Sequence, residues 1–260
     1  PNTVKVIRYH DGLPVLASDT MMNAHSTKLH CRSVARCASD SIYVCNSPSA
    51  LNDLGQISEE AARKAVVIPY FVPKMKNTDI GKAKLWELAA TRVSLSTLGK
   101  QEPDAAARKW FGLTSRSGKK SEKIDAVGEG ASVETPLFIM SLATIEPRKN
   151  YQGLIRRWQK LRAATGRDVK LVIVGRPGWE FEPILREIRP YVASGTLLHL
   201  EGLPQNELQI WYKAATCFAF LSFAEGFGLP PIEAMQCGCP VLVSDIPAHR
   251  YSAGDGALFC

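Results

Sequence analysis

Between residues 137 and 244 short apolar runs alternate with segments of helical period, and this alternation limits the fold more than any other feature of the chain. Leu137 to Leu142 fits a buried strand. Leu154, Ile155, Trp158 and Leu161 then recur at helical spacing before Gly166, a residue suited to ending a helix. Lys170-Leu-Val-Ile-Val174 is a β-branched strand closed by Gly175. A helix through Ile184, Leu185 and Ile188 follows, then a strand from Thr196 to Leu200 and a helix carrying Leu208, Ile210 and Trp211, with Asn206 as its expected cap. Cys217 to Leu221, a helix at Pro231 and Val241 to Ser244 complete the series. Strands and helices in this rhythm predict an α/β fold with a parallel sheet covered on both faces. Ligands of such sheets bind beyond the carboxyl ends of the strands.

One of those strand ends carries Glu225-Gly-Phe-Gly-Leu-Pro-Pro-Ile-Glu233, two carboxylates with seven residues between them. Ser222 to Leu229 reads as a loop, and Pro230 and Pro231 suit a first helical turn, where a missing N–H costs nothing. On that reading Glu233 sits in the first turn and Glu225 in the loop before it. The free N–H groups of a helix start, with the small residues Gly226 and Gly228, let backbone approach an anion closely. Two carboxylates beside such an anion hole suit a ligand with phosphate in its middle and hydroxyls at both ends, the shape of a nucleotide sugar. The bland alternative is a pair of solvated carboxylates, one favouring a helix N-terminus by its dipole.

The pattern continues through Ala234-Met235-Gln236-Cys237-Gly238-Cys239-Pro240-Val241 and Ser244-Asp245-Ile246-Pro247-Ala248-His249-Arg250. With these residues, Glu225 to Glu233 resembles the E-x7-E signature of retaining glycosyltransferases of family 4. Ala143-Thr144-Ile145-Glu146-Pro147-Arg148-Lys149-Asn150 resembles the first strand-loop-helix of that family's donor domain, and Leu171 to Trp179 its second strand and turn. The resemblance implies a GT-B fold, in which two Rossmann-like domains with parallel sheets face each other across a cleft. It implies that Glu233 accepts hydrogen bonds from ribose hydroxyls and that Glu225 lies beside the transferred sugar. Gly226, Phe227, Gly228 and Leu229 would hold sugar and diphosphate, chiefly by backbone amides. Lys149, with Arg148, would stabilise charge on the leaving nucleotide. His10, at the end of an N-terminal strand, would face the donor sugar, against the alternative of a structural histidine. Gly175, Arg176 and Leu203 would line the nucleobase. Arg148 and Lys149 read as the beginning of a helix, where cations oppose the helix dipole unless a phosphate lies between. His249 fits a structural turn.

The sequence departs from the family pattern at Ala143 and Thr144, where Gly and a further Arg are frequent, and at Ile68-Pro69-Tyr70-Phe71, where Ile-Pro-Asn-Gly is usual. No Asp-x-Asp element of the kind that holds a metal-bound diphosphate accompanies the pattern, so no metal and no cofactor is expected; the nucleotide sugar is a substrate. Retention of anomeric configuration is implied by the resemblance. The Glu-Pro-Arg-Lys-Asn run and Gly-Arg-Pro-Gly-Trp are most similar to bacterial mannosyl- and rhamnosyltransferase-like members. That likeness implies GDP-mannose as donor, a glycan or lipid-linked saccharide as acceptor, and a place in cell-surface polysaccharide synthesis. A GT-B sugar-nucleotide epimerase and a non-catalytic nucleotide-binding or scaffold module are the alternatives.

Three regions follow from these patterns. Residues 136–260 read as the donor-binding Rossmann-like domain. Residues 1–75 read as a partial, acceptor-side Rossmann-like domain, with strands at Val4 to Arg8, Ser41 to Cys45 and Ala65 to Pro69 and helices at Thr27 to Ala38 and Ser47 to Leu54. The region has too few elements to bury two sheet faces, and the chain reads as an internal portion of a longer enzyme. Residues 76–135 read as a basic, partly flexible connector. Of the net charge of +7, the stretch from Lys74 to Gly130 carries most: it holds 12 Lys and Arg against 7 Asp and Glu. Such a surface admits peripheral contact with the inner face of the plasma membrane. Nucleic acid is not expected, because no aromatic-interleaved basic stripe accompanies the charge. The seven scattered cysteines lack zinc spacing and read as reduced thiols of a cytoplasmic protein.

Overall fold

The computed structural model describes residues 3–16, 24–74 and 137–260; the connector assigned to 76–135 lies outside the described residues. The described strands form two separate parallel sheets. The first joins β1 (Lys5–Tyr9), β2 (Ser41–Cys45) and β3 (Val66–Val67) in that order. Between them run α1 (Leu13–Leu16), α2 (Ala24–Cys37), α3 (Pro48–Ile57) and α4 (Glu59–Arg63). The second sheet holds β4 (Phe138–Leu142), β5 (Lys170–Val174), β6 (Leu197–Leu200), β7 (Cys217–Phe220), β8 (Val241–Val243) and β9 (Leu258–Phe259). Its helices are α5 (Tyr151–Thr165), α6 (Glu182–Ser194), α7 (Gln205–Ala214), α8 (Leu229–Gln236) and α9 (Pro247–Ala253).

The strand order of the second sheet is β6-β5-β4-β7-β8-β9. Counted from the first strand of that unit, this is the doubly wound dinucleotide-binding order, and the direction of winding reverses between β4 and β7. Every residue of β5 is buried, as a central strand covered on both faces requires. Alternate side chains enter different cores. Met140, Val172 and Val174 pack with Leu200, Trp211 and Phe218 on one face. Leu171 and Ile173 pack with Ile155, Trp158 and Ile188 on the other.

The smaller sheet is covered on one face only among the described residues. Tyr9, Tyr43 and Cys45 pack with Val34, Leu54 and Ala61. On the opposite face Val4, Val6, Ile42, Val66 and Ile68 are exposed, with Val6 paired to Ile42 in register. All seven cysteines are free thiols, and among the described residues no helix is long and apolar enough to cross a membrane.

Three local expectations need correction. Asn206 does not cap α7: Pro204 holds the cap position and Asn206 already lies within the helix. Arg148 and Lys149 do not begin the α-helix but form a 3-10 turn, Pro147–Lys149, ahead of it. Asn150, in left-handed conformation at φ 54°, separates the two and caps α5 by accepting from the Gly153 amide at 3.1 Å. Glu233 lies in the second turn of α8, because Leu229 and the two prolines fill the first after Gly228 at φ 85°.

Candidate active site

The loops leaving β4 and β7 meet at the switch point and are stitched together by backbone. The Phe223 amide donates to the Arg148 carbonyl at 2.9 Å, and Arg148 Nη1 donates to the Ala224 carbonyl at 2.9 Å. This contact brings together residues 77 positions apart, Arg148 and Glu225. Lys149 Nζ lies 2.5 Å from Glu225 Oε1, and Arg148 Nη1 lies 3.0 Å from Glu225 Oε2. Arg148 Nη2 turns the other way, to Glu146 Oε1 at 2.6 Å. The Lys149 ammonium also stands 5.2 Å from the centre of the Phe220 ring. The four charged side chains are only 9–14% exposed.

Burial is the largest influence on Glu225 and opposes its charge, yet Lys149 and Arg148 together outweigh it and hold the carboxyl below its usual pKa. For Lys149 burial also comes first. With Arg148 beside it, burial outweighs the Glu225 carboxylate and lowers the ammonium pKa. The result is a compact patch of two cations and two anions at a water-poor strand end.

The next stretch of loop packs against the smaller sheet. A Cβ on Gly226 would stand 2.5 Å from the His10 carbonyl oxygen, so only glycine lets the two loops approach this closely. Ser47 Oγ, which also caps α3, donates to the Gly226 carbonyl at 2.8 Å. Phe227 meets Tyr70 edge-on at 5.3 Å between ring centres, and Tyr70 is hydrogen-bonded and stacked to the exposed His10. His10 therefore stands at the carboxyl end of β1, on the same side as the Glu225 loop. Leu229, at the start of α8, is 36% exposed.

Glu233 accepts a hydrogen bond from the Tyr212 hydroxyl at 3.1 Å. Tyr212 is fully buried, and burial, reinforced by the Glu233 carboxylate, pushes its phenol pKa far up, so it serves as a fixed donor. At the end of β5, a Cβ on Gly175 would overlap the Ala143 carbonyl oxygen at 1.8 Å. His199 Nε2 donates to the Gly175 carbonyl at 2.8 Å, and the Arg176 carbonyl accepts from Ile145 at 2.9 Å. Arg176 Nη2 lies 3.5 Å from a Cβ position on Gly202, so Arg176, after β5, reaches the neighbouring strand end after β6, where Leu203 packs against the core.

The structure thus gathers Lys149, Arg148 and Glu225 into one cluster, with Gly226 to Leu229 running from it to Glu233, and sets Gly175, Arg176 and Leu203 at adjacent strand ends. Sequence reasoning missed Glu146, Ser47, Tyr70 and Tyr212. Glu146 and Tyr70 lie inside the stretches 143–150 and 68–71, and Ser47 opens the helix expected over Ser47 to Leu54, whereas Tyr212 carried no signal. His249 is fully buried. Its Nδ1–H donates to the Ser244 carbonyl at 3.0 Å, and burial keeps its pKa low.

Three comparisons bear on this geometry. The sequence pattern that defines the family described as "Glycosyl transferases group 1" matches residues 123–259. The chain is 32% identical over 201 residues to the serotype-specific mannosyltransferase WbdA of Escherichia coli, covering 72% of this chain and 24% of that protein. It is 50% identical over 123 residues to the O-antigen chain mannosyltransferase RfbU of Salmonella typhimurium, covering 47% of this chain and 33% of that protein. Against these relatives the chain spans a third of their length or less. The solved structure of Anabaena Alr3699/HepE in complex with UDP and glucose superposes with a TM-score of 0.60 at 17% identity, covering 98% of this chain and 57% of that one. At that identity the likeness shows the fold alone, and it extends over both sheets.

Proposed function

Because the chain belongs to the glycosyl transferases group 1 family, we propose that it is part of an enzyme that moves a hexosyl group from a nucleotide sugar to a glycan or lipid-linked saccharide. The observation that carries this reading is the Lys149–Glu225 pair at the switch point, at the head of a glycine loop that leads into a helix bearing Glu233. Open α/β sheets bind ligands in that crevice. Sugar transfer develops negative charge on the departing diphosphate, and a fixed, desolvated ammonium stabilises that charge more in the transition state than in the ground state. Lys149 takes this role. Glu225 stays ionised beside the transferred sugar, where it aligns Lys149 and accepts from hydroxyls. The Gly226 to Leu229 backbone holds sugar and diphosphate, Glu233 takes the ribose hydroxyls, and Gly175, Arg176 and Leu203 flank the base. His10 faces the sugar from the smaller sheet.

The mannosyltransferase relatives support mannose as the transferred sugar and surface polysaccharide as product, and GDP-mannose is the donor we assign on that basis. Transfer with retention fits the family pattern, and work at the inner face of the plasma membrane fits an acceptor carried on lipid. An epimerase would need no acceptor, and nothing in the relatives favours it.

Glu233 supplies the test. Tyr212 already occupies Oε2 and fixes the carboxylate, so a ribose diol would meet a preset acceptor. Glu233→Ala is expected to weaken GDP or UDP binding by about 1.5–3 kcal/mol for each charged hydrogen bond lost. Unchanged affinity in calorimetry would remove Glu233 from the nucleotide site.

A further inference from the structure

Arg148 looks at first like a second phosphate ligand, since it adjoins Lys149 at an anion-binding loop. Its hydrogen bonds point elsewhere. Nη1 serves the Ala224 carbonyl and Glu225 Oε2, Nη2 serves Glu146 Oε1, and Nε is buried without a partner. The planar guanidinium thus bridges two carboxylates and a carbonyl, and its side chain is 14% exposed. Glu146 decides the matter. A buried carboxylate at 2.6 Å neutralises the arginine that a phosphate would need, and it fixes the plane of the guanidinium against Glu225. Lys149 makes no contact with Glu146 of that kind.

We propose that Glu146 and Arg148 form a positioning clamp that sets the orientation of the Glu225 carboxylate, and that Arg148 takes no phosphate of the donor. This inference rests on the transferase reading only for its kinetic consequence. The clamp acts from two sides: Nη1 grips the carboxylate oxygen that Lys149 leaves, and the same nitrogen holds the loop carbonyl just before Glu225. Among the described residues the other titratable groups near Glu225 are Tyr151 at the start of α5, His249 on α9, and His10 and Asp11, which pack on the adjacent Gly226 from the smaller sheet. Tyr151 donates to the Ala143 carbonyl and His249 to the Ser244 carbonyl rather than to Glu225.

The experiment uses the full-length protein with 13C-labelled glutamate, Glu225→Gln identifying the Glu225 signal. In Arg148→Met the Glu225 titration midpoint is expected to rise by one pH unit or more. GDP and UDP affinities, read by calorimetry, stay within threefold, while turnover at neutral pH falls at least tenfold and the acid limb of the kcat profile moves up with the midpoint. Glu146→Gln is expected to leave nucleotide affinity unchanged and to lower turnover several-fold. An unmoved Glu225 midpoint in Arg148→Met overturns the clamp, as does a tenfold loss of nucleotide affinity there or a tightening in Glu146→Gln. If Arg148→Met does not fold, Arg148→Lys carries the same comparison, with a rise of at least half a unit expected and no rise overturning the proposal. The titration needs no turnover. A wild-type protein inactive on every nucleotide sugar would defeat the transferase reading, and the midpoint would still decide the clamp.

Discussion

Glu225→Ala is expected to cost about 3–5 kcal/mol of stability, the range for removing one partner of a buried ion pair. Its carboxylate answers both Lys149 and Arg148 at a strand end where the side chains are 9–14% exposed. Alanine would leave Lys149 with no carboxylate and Arg148 with Glu146 alone. The pH dependence supplies a second reading. The folded pKa of Glu225 lies below its ordinary value, so its contribution is complete above the unfolded pKa, near 4.3, and is lost as pH falls through the lower folded value. The gap between wild type and variant in urea titrations should therefore be widest near neutrality and should narrow in acid. A gap below about 1 kcal/mol at neutral pH would mean that the pair is solvated after all, as exposed pairs are.

Lys149→Ala should do the opposite: little harm to the fold and great harm to turnover. Glu225 keeps Arg148 in that variant, so no anion is left unpaired. What disappears is the one cation of the cluster not already committed to Glu146. Removing a single preorganised donor to transition-state charge costs about 100- to 1,000-fold in kcat in comparable oxyanion sites. The donor KM should rise much less, because leaving-group charge is greatest in the transition state. A change confined to KM would make Lys149 a binding residue only. Activity of the wild type should persist in EDTA, since Lys149 and the backbone amides of the loop are assigned the work a metal would do; a strict metal requirement would overturn that assignment.

The large sheet was legible in the sequence because each strand is a short β-branched or apolar run and a central parallel strand tolerates little else. Lys170–Val174 was readable to the residue for that reason. Helix starts were less legible. Asn206 has the chemistry of a cap, but Pro204 fixes an extended backbone two residues earlier and the helix begins there. The place of Glu225 in the loop before α8 could be read from local pattern, and that of Glu233 only to within one turn of the helix. Their partners could not, since an ion pair across 76 residues depends on strand order rather than local preference. Glu146 lies inside the Ala143–Asn150 motif, yet its meaning depends on a guanidinium turned towards it. Tyr212 looked like one more apolar residue of a helix, and only packing shows its hydroxyl aimed at Glu233.

The reversal of winding has a consequence for how the protein is made. β4, β5 and β6 build outwards to one edge of the sheet, and the chain must then return to lay β7 on the other side of β4. Lys149 belongs to the first half and Glu225 to the second, so their contact closes a loop of 76 residues and forms only when the halves have docked. Contacts of such sequence separation are slow to form, because chain entropy is lost before they repay it. The ion pair would then be a late event in folding. In stopped-flow kinetics, Glu225→Ala should accelerate unfolding and leave the refolding rate almost unchanged, a φ-value near 0. A φ-value near 1 would place the pair in the nucleus instead. On the first outcome the Lys149–Glu225 contact is the last part of the sheet to be assembled.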